Sequence, residues 1–238
     1  MLSGIRLVLS NTSHPGNIGA SARAMKTMGL SGLWLVAPGQ FPNAEATARA
    51  SGADDVLAQA RVCTDIDAAL HGCRLVIGAS ARPRSIPCPV LDPRDCARLV
   101  RDESGQGDVA VVFGCEQSGL SNQEIDRCHY LLQIPTSAVY GSLNLAAAVQ
   151  IICYEIHLAH RSQDPVAGVP GHRPVNADEM ERLYGHLEQV LVELDFLDRK
   201  NPRLLMRRLR RLFNRARPDA NEVNILRGIL TAAQQAKK

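Results

Sequence analysis

Three short stretches carry side chains whose types and spacing suit them to chemistry. In Asn17-Ile18-Gly19-Ala20-Ser21-Ala22-Arg23, Asn17 and Gly19 sit at the entrance of a helix, and Arg23 leaves the apolar pattern set by Ile18, Ala22, Met25 and Met28. A guanidinium in that place can hold a phosphate or a polarised oxygen in a fixed fork. In Phe113-Gly114-Cys115-Glu116-Gln117-Ser118-Gly119-Leu120, an apolar run ends in one acid between two glycines, ahead of a helix whose cap is Ser121. A carboxylate held there can orient a hydroxyl or neutralise a cation. In Tyr140-Gly141-Ser142-Leu143-Asn144, two small polar residues precede a long apolar helix that Ser142 or Asn144 can cap, leaving first-turn amides for electronegative ligand atoms. Taken singly, an exposed helical arginine, an acid in a turn and a capped core helix are all ordinary features of folded proteins.

The elements that position these stretches follow from the hydrophobic pattern. Strands are expected at Ile5–Leu9, Leu33–Val36, Arg61–Cys63, Arg74–Gly78, Val109–Phe113 and Tyr130–Ile134. Helices are expected at Ile18–Met28, Glu45–Ala50, Asp65–Leu70, Pro93–Arg101, Asn122–Cys128 and Leu143–Arg161. Apolar strands alternating with amphipathic helices predict an α/β fold, a mostly parallel sheet covered on both faces with ligands beyond the carboxyl ends of its strands. Each of the three stretches falls at such a strand-to-helix junction.

Residues 162–175 hold three prolines and two glycines and read as a linker able to reach up to ~45 Å if extended. Residues 176–238 then read as a small all-helical domain. Met180, Leu183, Tyr184, Leu187, Val190, Leu191 and Leu194 share one face of its first helix, and two more helices are expected at Arg203–Phe213 and Asn221–Gln235. The expected organisation is a catalytic domain over 1–161, a linker, and this helical unit.

The net charge of +3 hides a segregation: nine Lys or Arg and no acid lie between Arg199 and Arg217, leaving the rest of the chain at −6. Arg207, Arg208, Arg210, Arg211, Arg215 and Arg217 interleave with apolar residues, predicting an amphipathic helix with a cationic face suited to nucleic acid. The competing expectation is that these arginines pair with the seven acids between Asp178 and Asp198. Seven scattered cysteines without any Cys-x-x-Cys pair point to reduced thiols in a cytoplasmic protein, with no metal site. No signal peptide and no membrane span are expected.

The order Asn-x-Gly-x-x-x-Arg, then Phe-Gly-x-Glu-x-x-Gly-Leu, then Ser-Leu-Asn resembles the three motifs of the SpoU branch of the SPOUT methyltransferases. Met25–Leu30, Ser80-Ala81-Arg82, Leu91–Arg94 and the tail around Asn201-Pro202-Arg203 further resemble a bacterial subfamily that methylates cytidine or uridine 2′-hydroxyls of tRNA at nucleotide 32 of the anticodon loop. Cys115, Ala79 and Gly141 depart from that pattern, standing where Arg, Thr and Ser are expected.

The resemblance implies a deep trefoil knot late in the catalytic domain, a homodimer with shared active sites, and S-adenosylmethionine held by Ala79, Ser80, Ala81, Gly114, Ile134, Gly141, Ser142 and Leu143. It implies catalytic roles for Arg23, Glu116, Ser142 and Asn144. Asn17, Arg23, Arg82, Arg207, Arg208, Arg210 and Arg211 are then expected on the tRNA. A guanidinium is a poor proton acceptor, so Arg23 is better suited to binding the 2′-oxygen or a neighbouring phosphate than to acting as base. Methylation of another tRNA position or of rRNA, and a non-catalytic RNA-binding protein on the same fold, are the competing readings. A nicotinamide-dependent oxidoreductase is disfavoured, because Gly16-x-x-Gly19 lacks the third glycine of a dinucleotide fingerprint.

Overall fold

The computed structural model describes residues 2–80, 88–161, 175–198 and 204–236. Seven strands form one sheet: β1 (Ile5–Ser10), β2 (Gly32–Val36), β3 (Arg61–Cys63), β4 (Leu75–Ala79), β5 (Val90–Leu91), β6 (Val109–Phe113) and β7 (Tyr130–Leu132). Their spatial order is β3-β2-β1-β6-β4-β7-β5, and every pairing is parallel. The carboxyl ends of β1, β6, β4 and β7 therefore stand side by side, as the alternating pattern predicted.

Successive residues of each strand feed opposite layers, which is why the strands read as unbroken apolar runs. Ile5, Leu7 and Leu9 enter one core with α1 (Pro15–Thr27), α2 (Ala44–Ala50), α3 (Asp54–Ala58), α5 (Pro93–Ser104) and α7 (Leu145–Arg161). Val8 enters the other, with Ala69 and Leu70 of α4 (Ile66–Leu70) and Ile125 of α6 (Asn122–Ile125). Three elements escaped the sequence reading, a 3-10 turn at Leu2–Gly4, α3 and the edge strand β5, which at three, five and two residues are too short to show a period.

Helix ends follow from caps. His14 precedes α1, its Nδ1 accepting from the Gly16 amide at 3.2 Å, and Pro15 occupies the first turn, so α1 begins three residues before the expected Ile18. Ser121 and Glu124 form a reciprocal capping box at α6. Of the two caps expected for α7, Asn144 is used: its Oδ1 accepts from the amides of Ala146 and Ala147 at 2.9 and 3.3 Å, and α7 accordingly starts at Leu145.

The remaining helices are α8 (Ala177–Glu193), α9 (Leu205–Ala216) and α10 (Ala220–Ala236). Val175, assigned to the linker, is buried with Met180, Leu183, Tyr184 and Val223 in their shared core, so the ordered helical layer reaches back past α8. The rest of the expected linker, 162–174, lies outside the described residues. Val175 and these helices lie against the sheet body along a polar seam: the Ala177 amide donates to the Cys73 carbonyl, the Gly72 amide to Asp178, and Asn214 Nδ2 to the carbonyls of Asp126 and Cys128.

That seam consumes much of the expected cationic face. Arg207 pairs with Asp126 at 2.8 Å, Arg210 with Glu181 at 2.5 Å while lying over the Tyr184 ring, and Arg217 with Glu103 at 3.1 Å. Arg211 is buried. Arg208 and Arg215 remain exposed. The expectation that Arg207, Arg210 and Arg211 face outward is corrected accordingly: Arg207 meets Asp126 at the end of α6, Arg210 meets Glu181 of α8, and Arg211 is buried. Charge counting along one helix could not see those partners.

Candidate functional site

The three chemistry-bearing stretches meet through one chain of hydrogen bonds. Glu116, just beyond β6, accepts from the Ser13 amide and hydroxyl at 3.0 Å each, from the His14 amide at 3.3 Å, and from Asn17 Nδ2 at 2.8 Å. Asn17 Oδ1 in turn accepts from Asn144 Nδ2 at 2.9 Å, and Asn144 caps α7 with its own oxygen. The loops after β1, β6 and β7 are thus tied through three side chains, and moving one must disturb the other two.

Tight turns make this possible. The Gly119 amide donates to the Cys115 carbonyl at 2.7 Å with Gly119 at φ 68°, and a Cβ on Gly114 would stand 2.2 Å from the Gly119 carbonyl carbon. Only glycine at both positions lets the chain double back and present Glu116 toward β1. Leu120 then anchors the turn in the second core.

Partial burial works to raise the Glu116 carboxyl, but the hydrogen bonds from Asn17 and Ser13 prevail and hold it at about 2. A carboxylate so acidic and so fully engaged as acceptor does not take a proton at neutral pH. Its work is to brace the β1–α1 loop and fix the amide of Asn17 so that its oxygen faces Asn144. Ser13 and His14 belong to this bonded set, although the sequence reading passed over them as turn residues. Their signal was the polar Ser-His pair directly before a Pro that opens a helix.

Arg23 lies on α1, exposed, and forms no hydrogen bond or ion pair among the described residues. Ile18, Ala22 and Met25 are fully buried beside it, as the apolar pattern required. Ser142 is exposed and likewise free of partners among the described residues. Arg23 is therefore not part of the Glu116–Asn17–Asn144 chain; it stands available on the helix that chain positions.

The expected cofactor residues gather at the neighbouring strand ends. Ala79 ends β4 opposite Leu132 of β7, and the Ser80 amide donates to the Leu132 carbonyl at 2.9 Å. Ile134 packs partly against the first core. Gly141 accepts from the Thr136 hydroxyl at 3.2 Å, closing a loop in which Val139 is 95% exposed, Tyr140 79% and Leu143 39%. Ala81 and Arg82 lie outside the described residues.

Burial pushes the thiols of Cys73, Cys96 and Cys153 up to about 12, which makes them inert packing groups. All seven cysteines are unpaired, and among the described residues no cluster of His, Cys, Asp and Glu is disposed to hold a metal ion. Nor is any helix among them long and apolar enough to cross a membrane.

An all-parallel sheet whose adjacent carboxyl ends carry a linked acid–amide chain and a neutral exposed loop, next to a helix with an exposed arginine, is an α/β protein with a ligand site at its strand ends. The chain belongs to the SpoU methylase family, in its TrmJ branch: residues 4–154 match the SpoU rRNA methylase family model, and residues 178–238 the C-terminal domain of tRNA methyltransferase TrmJ. It is 50% identical over 241 residues to the tRNA (cytidine/uridine-2′-O-)-methyltransferase TrmJ of Sodalis glossinidius, covering all of this chain and 94% of that one. Its structure is similar to crystalline TrmJ from Z. mobilis at a TM-score of 0.83 and 32% identity, over 95% of this chain and 97% of the other. An AdoMet-bound rRNA methyltransferase from Sinorhizobium meliloti is similar at a TM-score of 0.51 and 25% identity, over 66% of this chain and 56% of that one.

Proposed function

We propose that this protein transfers the methyl group of S-adenosylmethionine to the ribose 2′-hydroxyl of a tRNA cytidine or uridine, at nucleotide 32 of the anticodon loop, in the cytoplasm. The observation that carries the reading is the Glu116–Asn17–Asn144 chain, which joins all three loops at the sheet edge, with Arg23 exposed on α1 and without a partner among the described residues. The TrmJ relatives supply the nucleic acid and the atom methylated.

The described residues suit the cofactor. The segment from Gln133 to Asn144 contains no charged side chain, exposes Val139, Tyr140 and Leu143, and follows β7, whose neighbour β4 ends in the small residues Ala79 and Ser80. A flat adenine reads well against such a surface, with specificity from backbone amides and carbonyls. When bound, the cofactor supplies an electrophilic methyl group on a sulfonium, so the protein needs to align an oxygen with it and needs no Lewis acid.

The alignment falls to this chain's own groups. Arg23 binds the 2′-oxygen or the adjoining phosphate and stabilises negative charge as the O–CH3 bond forms, the methyl–sulfur bond breaks to leave a neutral thioether, and the hydroxyl proton passes to solvent water, to which this exposed side of α1 is open. Glu116 stays ionised and passive as a proton acceptor; it holds Asn17, and Asn17 holds Asn144 at the start of α7. Ser142 offers a free hydroxyl at the lip of the same loop.

The catalytic domain is proposed to carry a trefoil knot. What supports this reading is the family resemblance together with the placement of β7 between the earlier strands β4 and β5, followed by α7, which packs against α1 and α5. A homodimer is proposed through α7, where Tyr154 and Leu158 stand exposed one turn apart, with exposed Leu143 just before the helix. The helical region after 175 is proposed to contact the tRNA body, with Arg208 and Arg215 as its outward cations.

The test is transfer of labelled methyl from S-adenosylmethionine to tRNA, with the methylated nucleotide mapped. Wild-type protein should label a ribose at nucleotide 32, and Arg23→Ala should lose at least ~100-fold in kcat while binding cofactor normally, the size expected for removing one charge-stabilising group. Lys at position 23 should also fail, because an ammonium lacks the planar fork. Turnover of Arg23→Ala within a few-fold of wild type sinks the assignment.

A further inference from the structure

Helices α1 and α2 run side by side, and their contacts fix which residues are neighbours. A Cβ on Gly16 would stand 2.9 Å from Glu45 Oε1, a Cβ on Gly19 would stand 1.9 Å from the Ala46 carbonyl oxygen, and Lys26 Nζ reaches the Gly52 carbonyl at 2.9 Å. Interpolating along this series places Arg23 against Arg49 and Ala50. Ala50 is buried in the contact, while Arg49 is exposed. Side-chain direction agrees. Arg23 lies two turns beyond Gly16 and so projects from the same face of α1 that meets Glu45, and Arg49 lies one turn beyond Glu45 on the same face of α2.

The charges along this groove do not balance at its centre. At one end Glu45 lies 3.9 Å from His14, and at the other Lys26 is paired with Asp55 at 2.8 Å. Arg23 and Arg49 form no hydrogen bond or ion pair among the described residues, although Glu45 stands one turn from Arg49 in the orientation that favours a helical pair. Two neighbouring guanidiniums repel unless an anion joins them.

We infer that Arg49 is a substrate-positioning residue: with Arg23 it forms a two-guanidinium clamp for an RNA backbone phosphate beside the methylated ribose. This rests on the proposed 2′-O-methylation and adds to it a residue outside all three motif stretches. A phosphodiester fits better than a carboxylate ligand, because its oxygens can accept from both forks at once and a polynucleotide lies along the open groove. Arg49 also occupies the last turn of α2, where a cation offsets the helix dipole, so stability must be read alongside binding.

The test uses full-length protein carrying Arg49→Gln or Arg49→Lys. For Arg49→Gln the expected results are a rise of about tenfold in KM for tRNA with kcat within twofold. The slope of log affinity against log salt should flatten by about 0.7 to 0.9, the loss of one phosphate contact. Cofactor affinity should match wild type, and the urea midpoint should fall by no more than the small contribution of a last-turn cation to the helix dipole. Arg49→Lys should restore most of the affinity, since an ammonium still serves as a point charge for phosphate. Wild-type KM and salt slope in Arg49→Gln overturn the inference, and so does a lowered urea midpoint with kcat and KM changed together, which marks a structural role. If the wild-type protein binds tRNA without methylating it, the proposed reaction fails, and the salt slopes still decide for or against the clamp.

Discussion

Lowering the pH from 6.5 toward 4 should loosen the seam between the sheet and the C-terminal helices through one buried imidazole. His129 is only 6% exposed, on the connection from α6 to β7. Its Nδ1 accepts from the Val76 amide at 3.0 Å while its own amide donates to the Val76 carbonyl at 2.9 Å. Burial first, and then the Arg217 guanidinium, push its pKa down to about 4. Protonation would put a second donor against the Val76 N–H and a second cation near Arg217, whose carboxylate partner is Glu103.

The sign follows from proton counting. The unfolded histidine titrates near 6.5 and the folded one near 4, so between those values the unfolded chain binds more protons and acid favours unfolding. The loss amounts to about 2 kcal/mol by pH 5 and roughly 3 kcal/mol by pH 4. Glu116 contributes to acid lability in a lower window, below its unfolded value of 4.5, which leaves the range from 6.5 to 5 to the histidines. His160, also lowered by burial, acts in the same direction, so the measurement is a difference. Urea unfolding of wild type and His129→Asn should give profiles that converge as pH falls from 7 to 5, because asparagine keeps an acceptor for Val76 without a titration. Parallel profiles over that range refute the reasoning.

Asn17→Ala should leave Glu116 without its 2.8 Å donor and Asn144 without its acceptor; we expect a stability loss of about 1 kcal/mol and a larger proportional loss in methyl transfer, read by urea unfolding and single-turnover labelling. Equal catalytic rates in the variant would show that the three loops are held by something else. Tyr154→Asp with Leu158→Asp should give a monomer by sedimentation at micromolar concentration, because charges would sit in the exposed apolar pair of α7. A dimer that persists in the double variant moves the interface elsewhere.

The sheet was legible because its signal is local. Val109–Phe113 is apolar at every position, Gly29 and Gly114 stop elements where an L-residue would strain or collide, and Ser121 announces its helix three residues ahead of Glu124. The order of strands was not legible, since nothing in Tyr130–Leu132 says that it lies between β4 and β5. The site was legible as three motifs and not as one chain. That Asn17 joins Glu116 to Asn144 depends on contacts spanning 99 and 127 residues of sequence.

The arginine-rich helix shows where pattern reading stops. Its sequence specifies an amphipathic helix with a cationic side, and α9 has both. Whether a cation on that side faces solvent or protein depends on what the fold brings up against it. Asp126 lies beside Arg207, Glu181 beside Arg210, and Glu103 beside Arg217 while also pairing with Arg74. Each partner is partly shielded, so these pairs resist screening better than exposed ones and fix the orientation of α9 on the body. A helix seated in this way carries Arg208 and Arg215 at set positions relative to the site. RNA contacts made by those two residues would therefore select where along a tRNA the methyl group goes, since the distance from α9 to Arg23 is set by the fold.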